Sequence, residues 1–242
     1  MKILAIDSSG LVASVALMED NECKAEYTIN YKKTHSQTLV PMLEEIRSMI
    51  DLDLTTIDGI AIAAGPGSFT GLRIGSATAK GLGQALNKPL ISVPTVDGLA
   101  YNLYGSDKLI CPLMDARRNQ TYTGLYEFIK KENEYALSVI CPQCAVDLEE
   151  IIEKINKENR EVIFLGDGVP VFKKQLEEKI KVPYSFAPGC CNRQRAAAVG
   201  TLAIEYMKLG KTEDAALHQP EYLRLSQAER EKKEERERAA QN

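Results

Sequence analysis

The chain has 242 residues, 44% of them hydrophobic and 26% charged, with a net charge of -4, enough for one large core or two modest ones. That balance argues against the broad basic surface that direct nucleic-acid binding needs, and no apolar run is long enough to cross a membrane. The start of the chain lacks the pattern of a secretory leader, so the six cysteines read as reduced thiols and a cytoplasmic location is expected.

Residues 3–6 form a short apolar strand, and 13–18 a second one after the turn formers Ser8, Ser9 and Gly10, which together predict a hairpin. Residues 24–31 read as a third strand. From Ser36, the residues Leu39, Leu43, Ile46 and Ile50 recur at helical spacing, with Met42 and Met49 widening the stripe, so an amphipathic helix over 36–50 follows. A buried strand over 57–64, a glycine-rich loop, a helix over 70–86 and a strand over 89–93 complete the first half. The second half repeats this order: a strand over 109–114, the polar turn 115–120, strands over 121–128 and 135–141, a helix over 148–158, a strand over 162–165, the turn Gly166-Asp167-Gly168 and another helical segment. A helix over 194–209 comes next. Alternating strands and helices opened by a hairpin predict a mixed-sheet α/β protein of two similar lobes. The expected division is 1–105, completed by the helix near 194–210, then 106–225, and a charged tail over 226–242 that reads as solvated or disordered.

The loop and helix start AGPGSFTGLRIG, residues 64–75, invites a phosphate-binding reading. A dinucleotide fingerprint requires G-x-G-x-x-G, whereas Gly65, Gly67 and Gly71 are spaced one residue too long, and a Walker loop requires Gly-Lys-Ser or Gly-Lys-Thr where this loop reads Gly-Leu-Arg. Only the generic anion affinity of a helix start remains. The helix carries Gly71, Gly75, Ala79 and Gly83 four apart, and likewise Ala77, Gly81 and Ala85. Its interior glycines each cost about 1 kcal/mol relative to alanine, so the helix needs close packing, as small residues at this spacing allow. Either the protein's own sheet or another molecule meets that requirement.

Catalytic patterns are sparse. His35 in HSQTL has Leu39 where a second metal ligand would stand one turn on, and His218 is far away in sequence. Cys141-Pro142-Gln143-Cys144 has the spacing of half a zinc ribbon, but the adjacent Cys190 and Cys191 do not supply the other half. Asp7, Asp115 and Asp167 sit at turns, where aspartate serves either chemistry or the turn itself. No G-x-S-x-G elbow is present.

ILAIDSS, HSQTLVPML, AGPGSFTGLRIG, PLMDARRNQTYTGLYE, FLGDGV and PEYLR occur in the order found in the bacterial TsaB (YeaZ) family, which the chain resembles from Met1 to about Leu225. The resemblance implies the actin-like ATPase and sugar-kinase (ASKHA, ribonuclease-H-like) fold, two lobes each built on a mixed five-stranded sheet. It also implies a role in forming threonylcarbamoyladenosine beside the anticodon of tRNAs that read codons starting with adenine. In that pathway a TsaC-type enzyme makes threonylcarbamoyl-adenylate, the TsaD paralogue transfers the group to tRNA, and TsaB partners TsaD, with the ATPase TsaE joining them. This chain is then expected to be a non-catalytic subunit with no cofactor of its own, ATP and metal lying on its partners and tRNA contacted indirectly. TsaD carries two metal-binding histidines four apart where this chain has His35 and Leu39. The fold's phosphate turn usually carries a lysine that residues 8–12 lack.

The resemblance further implies that the first two long helices form the surface shared with TsaD, or with a second copy when the protein is alone. The expected partner face comprises Leu39, Met42, Leu43 and Ile46 on the first helix, with Ser68, Phe69, Gly71, Leu72, Arg73, Gly75, Ala79 and Gly83 on the loop and second helix. The competing reading is an enzyme of the same fold, a weak ATPase or a metallopeptidase. On the first reading, Gly75→Leu leaves the lone protein folded and abolishes co-purification with TsaD.

Overall fold

The computed structural model describes residues 1–224. The charged tail expected over 226–242 lies outside the described residues. In chain order the elements are β1 (Lys2–Asp7), β2 (Ala13–Glu19), β3 (Glu22–Ile29), α1 (His35–Met49), β4 (Gly59–Gly65), α2 (Phe69–Leu86), β5 (Leu90–Pro94) and α3 (Thr95–Tyr101). They continue with β6 (Leu109–Asp115), β7 (Gln120–Lys131), β8 (Glu134–Asp147), α4 (Leu148–Glu158), β9 (Val162–Leu165), α5 (Val169–Lys179), β10 (Tyr184–Phe186) and α6 (Ala196–Lys208).

The first sheet runs β3-β2-β1-β4-β5 and the second β8-β7-β6-β9-β10. In each, the opening strand is antiparallel to the next and parallel to the fourth, so one topology occurs twice. That duplicated order is the actin-like ATPase and sugar-kinase arrangement. The first sheet carries α1 and α2 on one face. Its other face meets α3 and α6, which also reach the second sheet through Ile110, Met114 and Tyr126. The outer face of the second sheet is covered by α4 and α5. Five layers result, with the α3 and α6 layer between the sheets.

Local chemistry accounts for the helix ends. Ser68 caps α2 by accepting from Gly71 N at 3.3 Å, and Asn87 ends it in the left-handed region at φ 53°. Helix α4 has Glu149 and Glu150 in its first turn and Lys157 in its last, matching the helix dipole. The free amides that open α6 are met by the first sheet: Ala196 N donates to Ser14 Oγ at 2.8 Å and Ala197 N to Glu26 Oε1 at 3.1 Å. Those bonds answer donors that would otherwise be orphaned and fix α6 to the strands of residues 13–29.

Two elements had no signal in the periodicity. Helix α3 follows β5 without a linker and is buried throughout, so it has no polar face to set a helical period. Strand β10 is three residues long. Strand β8 also runs beyond the expected 135–141, through Pro142, because its register shifts opposite Leu125 and a bulge tolerates proline.

The layer between the sheets holds one buried acid. Asp97 on α3 accepts from Tyr126 Oη at 2.7 Å and Tyr206 Oη at 3.5 Å; burial raises its pKa, against the lowering effect of those bonds. Tyr126→Phe removes the shorter bond and leaves the carboxyl under-partnered, so it is expected to cost about 1–3 kcal/mol, read as a lower midpoint in urea denaturation.

Candidate functional site

A cleft of about 890 Å³ opens between the lobes, lined by the turn after β1, the start of α2, the turn after β6, Asp167 and Arg224. Asp7 ends β1 beneath it, 2% exposed. Its Oδ1 accepts from Ser9 N at 2.9 Å and Ser9 Oγ at 2.6 Å. Burial pushes its carboxyl up to about 6, against the lowering effect of those bonds. The turn above it is held by two neighbouring side chains. His35 Nε2 donates to Gly10 O at 2.8 Å, while a Cβ at Gly10 would stand 2.8 Å from the amide nitrogen of Gln194. Ser9 is thus bonded to Asp7 and Gln194 lies against Gly10, while the Gln194 side-chain amide, His35 Nδ1 and Asp167 Oδ1 are buried without a hydrogen-bond partner.

The glycine loop packs on that turn. Ser68 N donates to Ser9 O at 2.6 Å, and Ser8 Oγ donates to Gly71 O at 2.9 Å. A Cβ at Gly67 would lie 2.3 Å from Ser9 O, and one at Gly71 would lie 2.1 Å from Ser8 O. Only glycine permits that approach. The glycines therefore serve contact between two backbone segments.

Residues 219–224 strap the loop to the second lobe. Glu221 N donates to Ala64 O at 2.7 Å. Tyr222 stacks on Phe69 at 4.2 Å, and the Arg73 guanidinium lies 4.3 Å from the Phe69 centroid and donates from Nε to Tyr222 Oη at 3.3 Å. Arg224 donates from Nη1 to Ala116 O. The segments AGPGSFTGLR, DARR and PEYLR, far apart in sequence, thus meet at the cleft mouth. In the DARR turn, Arg117, Arg118 and Asn119 have φ of 64°, 57° and 61°, a left-handed run that costs about 1 kcal/mol or more per residue. Asp115 Oδ1 supports it by accepting from Arg117 N at 2.8 Å.

Eight of the twelve expected partner-face residues are interior. Leu39, Met42, Ile46 and Ala79 belong to the core between the helices and the first sheet, and Gly71, Leu72, Gly75 and Gly83 are buried. A Cβ at Gly75 would stand 2.3 Å from Ser8 Oγ and 3.1 Å from Ile62, and one at Gly83 would stand 2.7 Å from Ala215 Cβ. The stripe of Gly71, Gly75, Ala79 and Gly83 is therefore the one that packs against the protein's own interior. This corrects the expectation for Gly75→Leu: overpacking at this site is destabilising, so loss of partner binding by that variant would report a damaged fold. Leu43 and Phe69 are half-buried, and Ser68 and Arg73 are exposed.

The other stripe faces outward. Ala77, Gly81 and Ala85 are exposed, and nothing lies within 4 Å of a Cβ built at Gly81. Beside it runs a groove of about 320 Å³ lined by Val40, Leu43, Arg47, Ala77, Gly81 and Leu82. Val40 and Met49 of α1 are 60% and 74% exposed.

The second histidine also has a place. His218 is buried, with Nε2 3.0 Å from Ser76 Oγ and Nδ1 2.9 Å from Glu213 Oε1, and it anchors residues 213–218 to α2. No sequence pattern announced that contact, because its members are 142 residues apart. Among the described residues, no three His, Cys, Asp or Glu side chains stand together as a metal site, and no helix is long and apolar enough to cross a membrane.

A duplicated α/β fold with a cleft between its halves and an open helix pair defines a two-lobed protein of the actin-like fold. Residues 22–232 match the family model described as TsaD, tRNA N6-adenosine threonylcarbamoyltransferase. A Bacillus subtilis (strain 168) protein named tRNA threonylcarbamoyladenosine biosynthesis protein TsaB is 34% identical over 232 residues, 95% of this chain and 96% of its own length. An Escherichia coli (strain K12) protein of the same name is 35% identical over 52% of this chain and 55% of its own length. The Pseudomonas aeruginosa structure described as YeaZ superposes with a TM-score of 0.73 at 24% identity, covering 92% of this chain and 99% of that one. The chain belongs to the TsaB family.

Asp7 yields a test of the cleft's electrostatics. A carboxyl with a raised folded pKa favours the fold fully below its unfolded value, and that contribution is lost as pH rises through the folded value. For a rise from 3.8 to about 6 the loss is up to about 3 kcal/mol. Asp7→Asn keeps an acceptor for Ser9, so its stability advantage over the native chain is expected to grow from pH 4 to 6 and then level off in thermal melts.

Proposed function

We propose that the protein acts in tRNA threonylcarbamoyladenosine biosynthesis as a non-catalytic, cytoplasmic subunit that binds TsaD through the outward face of α1 and α2. TsaE joins the pair, the same face joins two copies when the protein is alone, and tRNA, ATP and metal are engaged by the partners. The observation that carries this reading is the apolar groove between α1 and α2, flanked by Ala77, Gly81 and Ala85. Small side chains there let a partner helix approach closely, and apolar surface gathered in one place marks an interaction site. The buried residues Leu39, Met42, Ile46, Gly71, Leu72, Gly75, Ala79 and Gly83 support that face from beneath, whereas Leu43, Ser68, Phe69 and Arg73 have atoms at the surface to offer. The TsaD family match and the names of the relatives supply the pathway.

A second reading, a nucleotide-using enzyme, is favoured by one observation: the cleft is roomy and carries Lys33, Arg117 and Arg224 on its walls. Against it stands the bonding of Ser9 N and Oγ to Asp7 instead of to a ligand. Calorimetric titration of the isolated chain with ATP separates the two, since heat of binding abolished by Arg117→Ala supports the enzyme. Bound zinc or iron in the purified chain would support a metallopeptidase.

Gly81→Leu fills open space, so the variant is expected to fold with an unchanged melting temperature while losing co-purification with TsaD. Retained binding overturns the proposed face. Deletion of the gene is expected to deplete threonylcarbamoyladenosine in bulk tRNA, read by mass spectrometry, with rescue by the native gene and not by Gly81→Leu. Undiminished modification after deletion overturns the pathway assignment.

A further inference from the structure

Neither the cleft nor the helix pair uses the sulfur cluster on the second sheet. Cys141 pairs with Leu125 and Cys144 with Thr123, so three steps along β8 match two along β7. In a regular strand residues three apart face opposite sides; the extra residue of a bulge brings them to the same side. Both cysteines accordingly join the core that contains Leu125 and Cys111. Cys141 lines a cavity of about 260 Å³ whose charged walls are Lys154, Lys157 and Glu158, two cations against one anion. Lys154 Nζ donates to Cys141 Sγ at 3.2 Å. That bond is the first cause raising the Lys154 pKa, so the ammonium is held against the sulfur. Cys144 is different: its thiol donates to Thr123 O at 3.6 Å, and burial, followed by the neighbouring Cys141 charge, pushes it up to about 11.

We propose that Cys141 and Cys144 form a thiol modification site for anionic low-molecular-weight disulfides such as glutathione disulfide, with Cys141 attacking and Cys144 resolving. The Cys141 thiolate attacks one reagent sulfur, the reagent S–S bond breaks, and one thiolate leaves, giving a mixed disulfide. Cys144 then loses its proton to water and attacks the Cys141 sulfur, expelling the second thiolate. Two protein thiols are oxidised to one disulfide, and one reagent disulfide is reduced to two thiols. Lys154 and Lys157 meet the carboxylates of the reagent at the cavity mouth. Gln143, between the two cysteines, donates from Nε2 to Glu221 Oε2 at 2.9 Å. The pair is therefore tied directly to the strap that crosses the glycine loop, and closing the bond shifts that tether.

The test is incubation of the folded chain with glutathione disulfide near neutral pH, in a background where Cys23, Cys190 and Cys191 are serine, followed by peptide mass mapping. The same mapping on the native chain guards against an effect of the background. Loss of two hydrogens from the peptide containing Cys141 and Cys144 is expected. Cys144→Ser is expected to stop at a glutathione adduct on Cys141. Lys154→Gln is expected to slow that adduct about tenfold, with Lys154→Arg restoring the rate. Amide exchange at Glu221 is expected to quicken in the oxidised chain. A reaction confined to other cysteines, or an adduct rate indifferent to Lys154→Gln, overturns the site; unchanged exchange at Glu221 overturns its link to the strap.

Discussion

The structure depends on one close contact between backbones, in which the carbonyl oxygens of Ser8 and Ser9 lie where side chains of Gly71 and Gly67 would otherwise stand. That joint sets the distance of α2 from β1, buries Asp7 beneath the turn and presents Phe69 to Tyr222. Its cost is entropic, since four glycines between residues 65 and 75 lose more freedom on folding than other residues. The compensation is a set of bonds that no side chain obstructs: Ser68 N to Ser9 O and Ser8 Oγ to Gly71 O. A helix poor in intrinsic propensity is thereby held by tertiary contacts, as short helices generally are.

The order of strands and helices was readable because each half alternates apolar runs with amphipathic ones. Helix α4 and strand β9 have the expected bounds, 148–158 and 162–165, since both carry strong periodicity or clear flanking breakers. The orientation of α2 was not readable. Both of its stripes are made of small residues, and a small residue signals close approach without saying what approaches. Hydrophobicity did not decide between Gly75, pressed on Ser8, and Gly81, with nothing near it. The strap was invisible for another reason. Glu221 N bonds Ala64 O, and the Arg224 guanidinium bonds Ala116 O; both contacts end on main-chain carbonyls, which leave no mark on composition.

The same constraint explains why three separated motifs read as one signature. AGPGSFTGLR supplies the joint and the ring of Phe69, PEYLR lays Tyr222 and Glu221 across it, and DARR offers the carbonyl that Arg224 takes. Each segment is specified by the other two. The left-handed run at Arg117, Arg118 and Asn119 belongs to this arrangement, because a backbone held in a costly region needs surroundings that over-determine it. Asp115 on one side and Arg224 on the other provide them.

The turn after β1 illustrates how a cleft can persist while its groups turn inward. Ser9 bonds to Asp7, His35 bonds to Gly10, and Gln194 covers the glycine. A buried carboxyl satisfied in this way is still costly when ionised, because two neutral donors offset only part of its desolvation. The fold retains it because Asp7 accepts both donors of Ser9, whose carbonyl in turn receives Ser68 N. Replacing Asp7 by an apolar residue would strand those donors, while asparagine would not. The acid thus acts on α2 through Ser9, and the charge on Asp7 matters less to that linkage than its acceptor oxygen.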